Sequence, residues 1–175
     1  GLDERWVNRD GKDKNAVLIV FPDSLLFDVG EARIDERGAR TLRLAMPGLE
    51  RTLCAPRFRA NIETVVVEGH TDTTYLRAPN LDEAKAKNLV LSQARSMSVV
   101  QESLGALTSG GSRDCFRSML SASGRGQEEP LSGIPGDDPR QRRVIFKIRV
   151  QSNLARALSG GPPSSAAGTP PVSVR

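Results

Sequence analysis

The segment Ile62–Glu68, IETVVVE, constrains the fold more than any other part of the chain. Three consecutive valines after an isoleucine leave no apolar–polar alternation, so the strand they form is expected to be covered on both faces, which places it inside a sheet packed with helices. It ends abruptly at Gly69, in the sequence Gly69-His70-Thr71-Asp72. Before it, Ala16–Phe21 (AVLIVF) reads as a strand, broken by Pro22 and Asp23 ahead of a second short strand in LLFDVG. Ile34–Leu53 reads as a helix with Leu42, Leu44, Ala45, Leu49 and Leu53 at helical steps, and Pro47 is expected to kink or split it. After Asp72, Asn88–Leu107 reads as a second helix closed by Gly110 and Gly111. Its Val90, Leu91, Ala94, Met97 and Leu104 share one arc, while Asn88, Ser92 and Arg95 occupy a separate polar one. Phe116–Ser123 is a candidate strand, and VIFKIRV in Arg143–Val150 alternates like another. The expected architecture is an α/β (α+β sandwich) fold, β-α-β-α-β-β, with helices on one face of a four-stranded mixed sheet.

A length of 175 residues suits one core. Residues 1–15 are charged and aperiodic and are read as a flexible lead-in, 16–152 as the domain, and the Pro/Gly/Ser-rich 153–175 as a disordered tail. The excess of 25 basic over 21 acidic side chains is spread along the chain, and one Trp, one Tyr and five Phe offer little stacking surface, which argues against nucleic acid as a partner. No apolar run approaches the roughly 20 residues of a membrane-spanning helix. Two cysteines are too few for a disulfide scaffold and lack zinc spacing. His70, the only histidine, has no metal-ligand neighbours in sequence and is read as a structural residue that hydrogen-bonds its loop. Cys54 falls on the sheet edge opposite His70, out of reach for nucleophilic catalysis. No paired carboxylates and no phosphate-cradling glycine loop can be assembled either, so neither an enzyme nor a cofactor is expected.

The chemistry concentrates in Gly69–Asp72 and in Asn88–Arg95 (NLVLSQAR). The end of a strand and the start of the next helix face one edge of a sheet, where open α/β folds place ligands, so Asp72 and Arg95 are expected to converge. Asn88 and Arg95 lie two helical turns apart with Ser92 between them. A carboxylate beside a guanidinium and an amide forms a receptor for an amino-acid end group, Asp72 taking the ammonium and Arg95 the carboxylate.

Four blocks in order, Gly69-His70-Thr71-Asp72, the Asn88/Leu91/Ser92/Arg95 pattern, Gly124/Gly126/Pro130 and Arg142-Arg143-Val144, resemble the OmpA C-terminal domain family. With Phe27-Asp28-Val29-Gly30-Glu31-Ala32 upstream, the resemblance covers about 130 residues. It implies non-covalent binding of peptidoglycan through the diaminopimelate of the stem peptide, in the periplasm or cell envelope of a Gram-negative bacterium. Asp72 and Arg95 then clamp the ligand, Asn88 adds a hydrogen bond, Thr71 shapes the loop and Arg142 lies at the rim. Any attachment to a membrane would come from an upstream anchor, and a homodimer is compatible with the sequence.

The chain departs from the family in carrying Gln141 where Asn usually precedes the Arg pair. The fifteen residues between Asp72 and Asn88, including Tyr75 and Arg77, make the loop more similar to MotB-like stator subunits than to Pal-like lipoproteins. Asn80 stands at the spacing of the short members, but Leu91, Ser92 and Arg95 follow Asn88 in register. Alternative readings are the wall anchor of an ion-driven stator subunit and a protein-interaction module with a degenerate pocket. Cys54 and Cys115 each precede a strand at the edge where parallel strands begin, and a Cys54–Cys115 disulfide is expected.

Overall fold

In a computed structural model, residues 7–74, 78–108 and 110–151 are described. The expected tail, the first residues of the lead-in, and Tyr75 and Arg77 lie outside them. The elements are β1 (Val7–Arg9), β2 (Ala16–Pro22), α1 (Glu36–Leu53), the single turn α2 (Pro56–Arg59), β3 (Ile62–His70), α3 (Leu81–Gly105), α4 (Gly111–Met119), β4 (Leu120–Gly126) and β5 (Arg143–Val150). The sheet has five strands in the order β1-β2-β5-β3-β4. Only β3 and β4 are parallel; the other neighbours are antiparallel.

One face of the sheet carries the core. Alternation along β2, β3 and β5 turns Ile19 and Phe21, Val65 and Val67, and Val144, Phe146, Ile148 and Val150 to the same side. They meet Leu42, Met46 and Leu49 of α1, Val99 of α3 and Phe116 of α4, so the helices lie on one face as expected. Among the described residues the opposite face is open, so β3 is not covered by helices on both faces as its run of valines suggests, and it carries a groove of about 780 Å³ with Leu18, Val20 and Ile145 on its floor and Glu68, His70 and Arg143 at one end.

Four local expectations need correction. The lead-in supplies a strand, since Val7–Arg9 pairs with Val17–Ile19. All three residues are exposed, so backbone hydrogen bonding and not burial holds them, and hydropathy carries no sign of it. LLFDVG forms no second strand; Phe27 makes one isolated bridge to Ile34. Residues 111–119 form a helix that buries Phe116 and Met119, three positions apart on one face, and the strand starts only at Leu120. The helix α1 runs unbroken through Pro47. Arg43, whose carbonyl loses its donor there, is exposed, so water can replace the missing bond.

The second long helix begins seven residues earlier than its periodicity suggests. Asn80 is its N-cap, accepting from the Glu83 amide at 2.9 Å, a role that removes it from competition with Asn88. The two cysteines are joined, Cys54 at the end of α1 to Cys115 in α4, with Cα atoms 6.2 Å apart. The bridge ties together two helices whose chains next enter β3 and β4.

Candidate ligand site

The site is built where β3 runs out. The Thr71 amide donates to the Gly126 carbonyl at 2.8 Å and the Thr73 amide to Gly136 at 2.9 Å, so the loop after β3 is stitched to the loop after β4. This fixes Asp72, whose Oδ1 accepts from the Thr74 amide at 3.0 Å in an Asx turn.

The helix α3 lies directly on the two glycine-bearing strands. A Cβ at Gly69 would stand 2.2 Å from the Ser92 carbonyl oxygen, and one at Gly124 would stand 2.6 Å from the Gln93 nitrogen. Gly126, with φ +54, would need a strained backbone for any side chain. Ser92 locks the contact, its hydroxyl accepting from the Gly126 amide at 2.9 Å and donating to the Leu89 carbonyl at 2.8 Å. The glycines therefore permit the approach that brings Asn88 and Arg95 to the end of β3.

Thr71, Asp72, Asn88, Arg95 and Arg142 line one recess of about 100 Å³, together with Asp23, Val29, Gly30, Thr74 and Leu91. All of the sequence-derived ligand residues thus meet in one place. Their pairing differs from the expected one. Arg95, 2% exposed, is held by Asp23, with Nη1 2.8 Å from Oδ1; its Nε donates to the Glu31 carbonyl at 2.7 Å and its guanidinium lies 5.0 Å from the Phe27 ring centre. Asp72 is paired with Arg142, whose Nε also stands 3.9 Å from Asp23. Asn88 donates to the Asp72 carbonyl at 3.3 Å and to Gln127 at 3.1 Å.

Arg142 is the half-open member of the set, while its neighbour Arg143 points to the other face and donates to the Gln141 and Glu129 carbonyls. Gln141, the departure from the family pattern, is buried. Its side chain accepts from the Leu131 amide at 2.7 Å and donates to the Pro135 carbonyl at 3.0 Å, so it braces the loop behind the recess.

Burial pushes the Asp23 carboxyl up from its ordinary value, against the pull of Arg95 and Arg142. Burial likewise lowers the Arg95 guanidinium, although Asp23 opposes the shift. His70 does not hold its loop as expected. It is buried, neither ring nitrogen makes a hydrogen bond among the described residues, and Glu68 stands 3.8 Å from Nε2. Its pKa is lowered, chiefly by burial.

Asp23 is the site residue that the sequence did not reveal. Following Pro22 at a strand end, it reads as a turn former. Only the pairing of β2 with β5, which sets Pro22 opposite Arg143, brings it to Arg95.

No family model matches the chain. The Zorya protein ZorB of Escherichia coli is 29% identical over 146 residues, 81% of this chain, which spans 61% of that relative's length. Among solved structures, the periplasmic domain of Helicobacter pylori MotB (its residues 97–256) is similar with a TM-score of 0.59 and 15% identity, over 88% of this chain and 94% of that one. The OmpA-like domain of FopA1 from Francisella tularensis is similar with a TM-score of 0.53 and 17% identity, over 83% of this chain and 82% of that one. The strand order, the helices on one sheet face and these likenesses together identify the fold as OmpA-like, in the form found in MotB-like periplasmic domains.

Proposed function

We propose that this chain is a non-enzymatic wall-anchoring module that binds the diaminopimelate of the peptidoglycan stem peptide in the recess at the end of β3. The observation that carries the reading is the convergence of Asp72, Asn88, Arg95 and Arg142, from three separate parts of the chain, on one small cavity. Buried acids and guanidinium groups in one recess suit a ligand that carries both an ammonium and a carboxylate. The ligand carboxylate lies on Arg95, its ammonium faces the acids, and Asn88 and the Thr71 loop shape the walls. The binding unit is residues 16–152 with β1 added at the sheet edge, and its place is the periplasm of a Gram-negative cell.

Arg95 supports Asp23, Glu31 and Phe27, so its truncation would disturb the fold as well as the site; conservative variants are the better test. Asp72→Asn and Arg95→Lys are expected to remain folded and to weaken binding of diaminopimelate-containing muropeptides at least tenfold, the loss expected when one partner of a desolvated charge contact is changed. Calorimetry, with sedimentation of the protein on purified sacculi, measures this. Equal binding by wild type and both variants, or no sedimentation of the wild type, would refute the assignment.

The likeness to ZorB and to MotB favours a second, narrower reading, in which the module is the wall anchor of an ion-driven stator subunit. Among the described residues no helix is long and apolar enough to cross a membrane. In this reading the parent polypeptide carries a span of about 20 apolar residues with an intramembrane acid. A parent sequence without one would rule it out.

A further inference from the structure

Asp23 lines the recess yet belongs to none of the motifs by which the site is read from sequence. We propose that Asp23 sets the charge balance of the recess and thereby selects end groups bearing one ammonium and one carboxylate over those bearing either alone. The inference rests on the reading of the recess as a diaminopimelate site and names the residue behind its selectivity.

The side chain is placed by the backbone around it. The Asp23 amide donates to the Arg142 carbonyl at 3.1 Å, and its own carbonyl accepts from Leu26 at 2.9 Å and Phe27 at 3.0 Å. From there the carboxylate faces Arg95 at 2.8 Å and Arg142 at 3.9 Å, while Arg142 also holds Asp72. Two acids and two arginines thus form a neutral chain of contacts, Arg95–Asp23–Arg142–Asp72. Three of the four are buried, Arg142 being the half-open one.

A buried site of this kind tolerates little net charge. When a ligand carboxylate approaches Arg95, Asp23 loses part of its counter-charge unless an ammonium arrives with it. An end group with both charges leaves the sum at zero. A carboxylate alone leaves one negative charge in excess, and an ammonium alone leaves one positive. The rise of the Asp23 carboxyl above its ordinary value, caused by burial and only offset by the two arginines, agrees with a group that gains from an added cation.

The test is calorimetry with three muropeptides whose stem carries a further residue after the third and that differ only at that third residue: diaminopimelate, diaminopimelate acetylated on its free side-chain amine, and lysine. For the wild type, acetylation is expected to weaken binding by about thirtyfold or more. In Asp23→Asn the recess carries one positive charge in excess, and the preference for the free amine is expected to shrink at least tenfold, whereas Asp23→Glu retains it. Arg142→Gln, at a half-open position, tips the balance the other way, and relative binding of the lysine compound is expected to rise at least tenfold. If Asp23→Asn fails to fold, the Arg142→Gln result decides alone. An unchanged preference in Asp23→Asn, or in Arg142→Gln where Asp23→Asn does not fold, overturns the role of Asp23, whereas a wild type that binds none of the three compounds overturns the reading of the site.

Discussion

Gly69 and Gly124 show what a motif encodes physically. In sequence they are small residues beside a candidate ligand aspartate and in a Gly-x-Gly run; in the structure they are the floor on which the α3 backbone rests. Gly69→Ala sets a methyl group 2.2 Å from the Ser92 carbonyl oxygen, and neither partner is a flexible side chain. The expected cost is about 3 kcal/mol or more, with a similar loss for Gly124→Ala. Gly48→Ala, inside α1 with nothing near its added carbon, is expected to be neutral or to stabilise by up to about 1 kcal/mol. Denaturant unfolding of the three variants distinguishes close approach from a general intolerance of alanine. Asp72, Asn88 and Arg95 were legible because strand-end and helical spacing alone place them on one sheet edge. Asp23 was not, because its role depends on which strand lies beside β2, and a single sequence leaves that pairing open.

At the scale of elements, α3 inverts the usual rule. Its Asn88, Ser92, Arg95, Ser96 and Ser103 are buried, while Leu89, Val90 and Met97 are exposed. The periodicity correctly separates two arcs but does not say which faces inward, and apolar arcs face inward by default. Small polar residues win here because the helix must lie close to glycine-bearing strands and its inner side chains must satisfy backbone groups in the adjoining loops. The misassigned strand at 116–119 has a related cause: Phe116 and Met119 fit either period in so short a run. The disulfide was legible because both cysteines precede strands that begin at the same edge. It closes a separation of 61 residues. Replacing both cysteines by serine is expected to cost about 2–4 kcal/mol and, lying at the sheet edge away from the recess, to leave ligand affinity unchanged. Chemical denaturation beside calorimetry checks both halves of that statement.

For the whole molecule, the acid limb of stability should be set on the open face of the sheet. Burial works against the charge of Glu68, but the His70 ring 3.8 Å away and the hydrogen-bonded guanidinium of Arg125, at 2.6 Å, outweigh it and hold the carboxyl at about 2. Because that value lies below the ordinary 4.5, the contribution is present above 4.5 and is lost as pH falls toward 2. His70, lowered from 6.5 mainly by burial, contributes above 6.5 and loses that contribution as pH falls below it. Asp23 has the opposite sign and gains on acidification. The melting temperature is therefore expected to fall from neutral pH downward, first through His70 and then through Glu68. In Glu68→Gln the decline below 4.5 should flatten relative to wild type; matching acid limbs in the two proteins would show that this carboxylate is not the cause.

The contact between α3 and the two glycines has a kinetic consequence. With main chain resting on main chain, the ledge that bears Asn88, Ser92 and Arg95 cannot slide or tilt against the Thr71–Asp72 turn. On the proposed reading, a guest meets on that side a mould already set: capture follows the rate of encounter, and release waits on rupture of its ionic grips. Any change of guest over evolutionary time has to come from exchanging the groups that project into the hollow, because the wall behind them has no room to move.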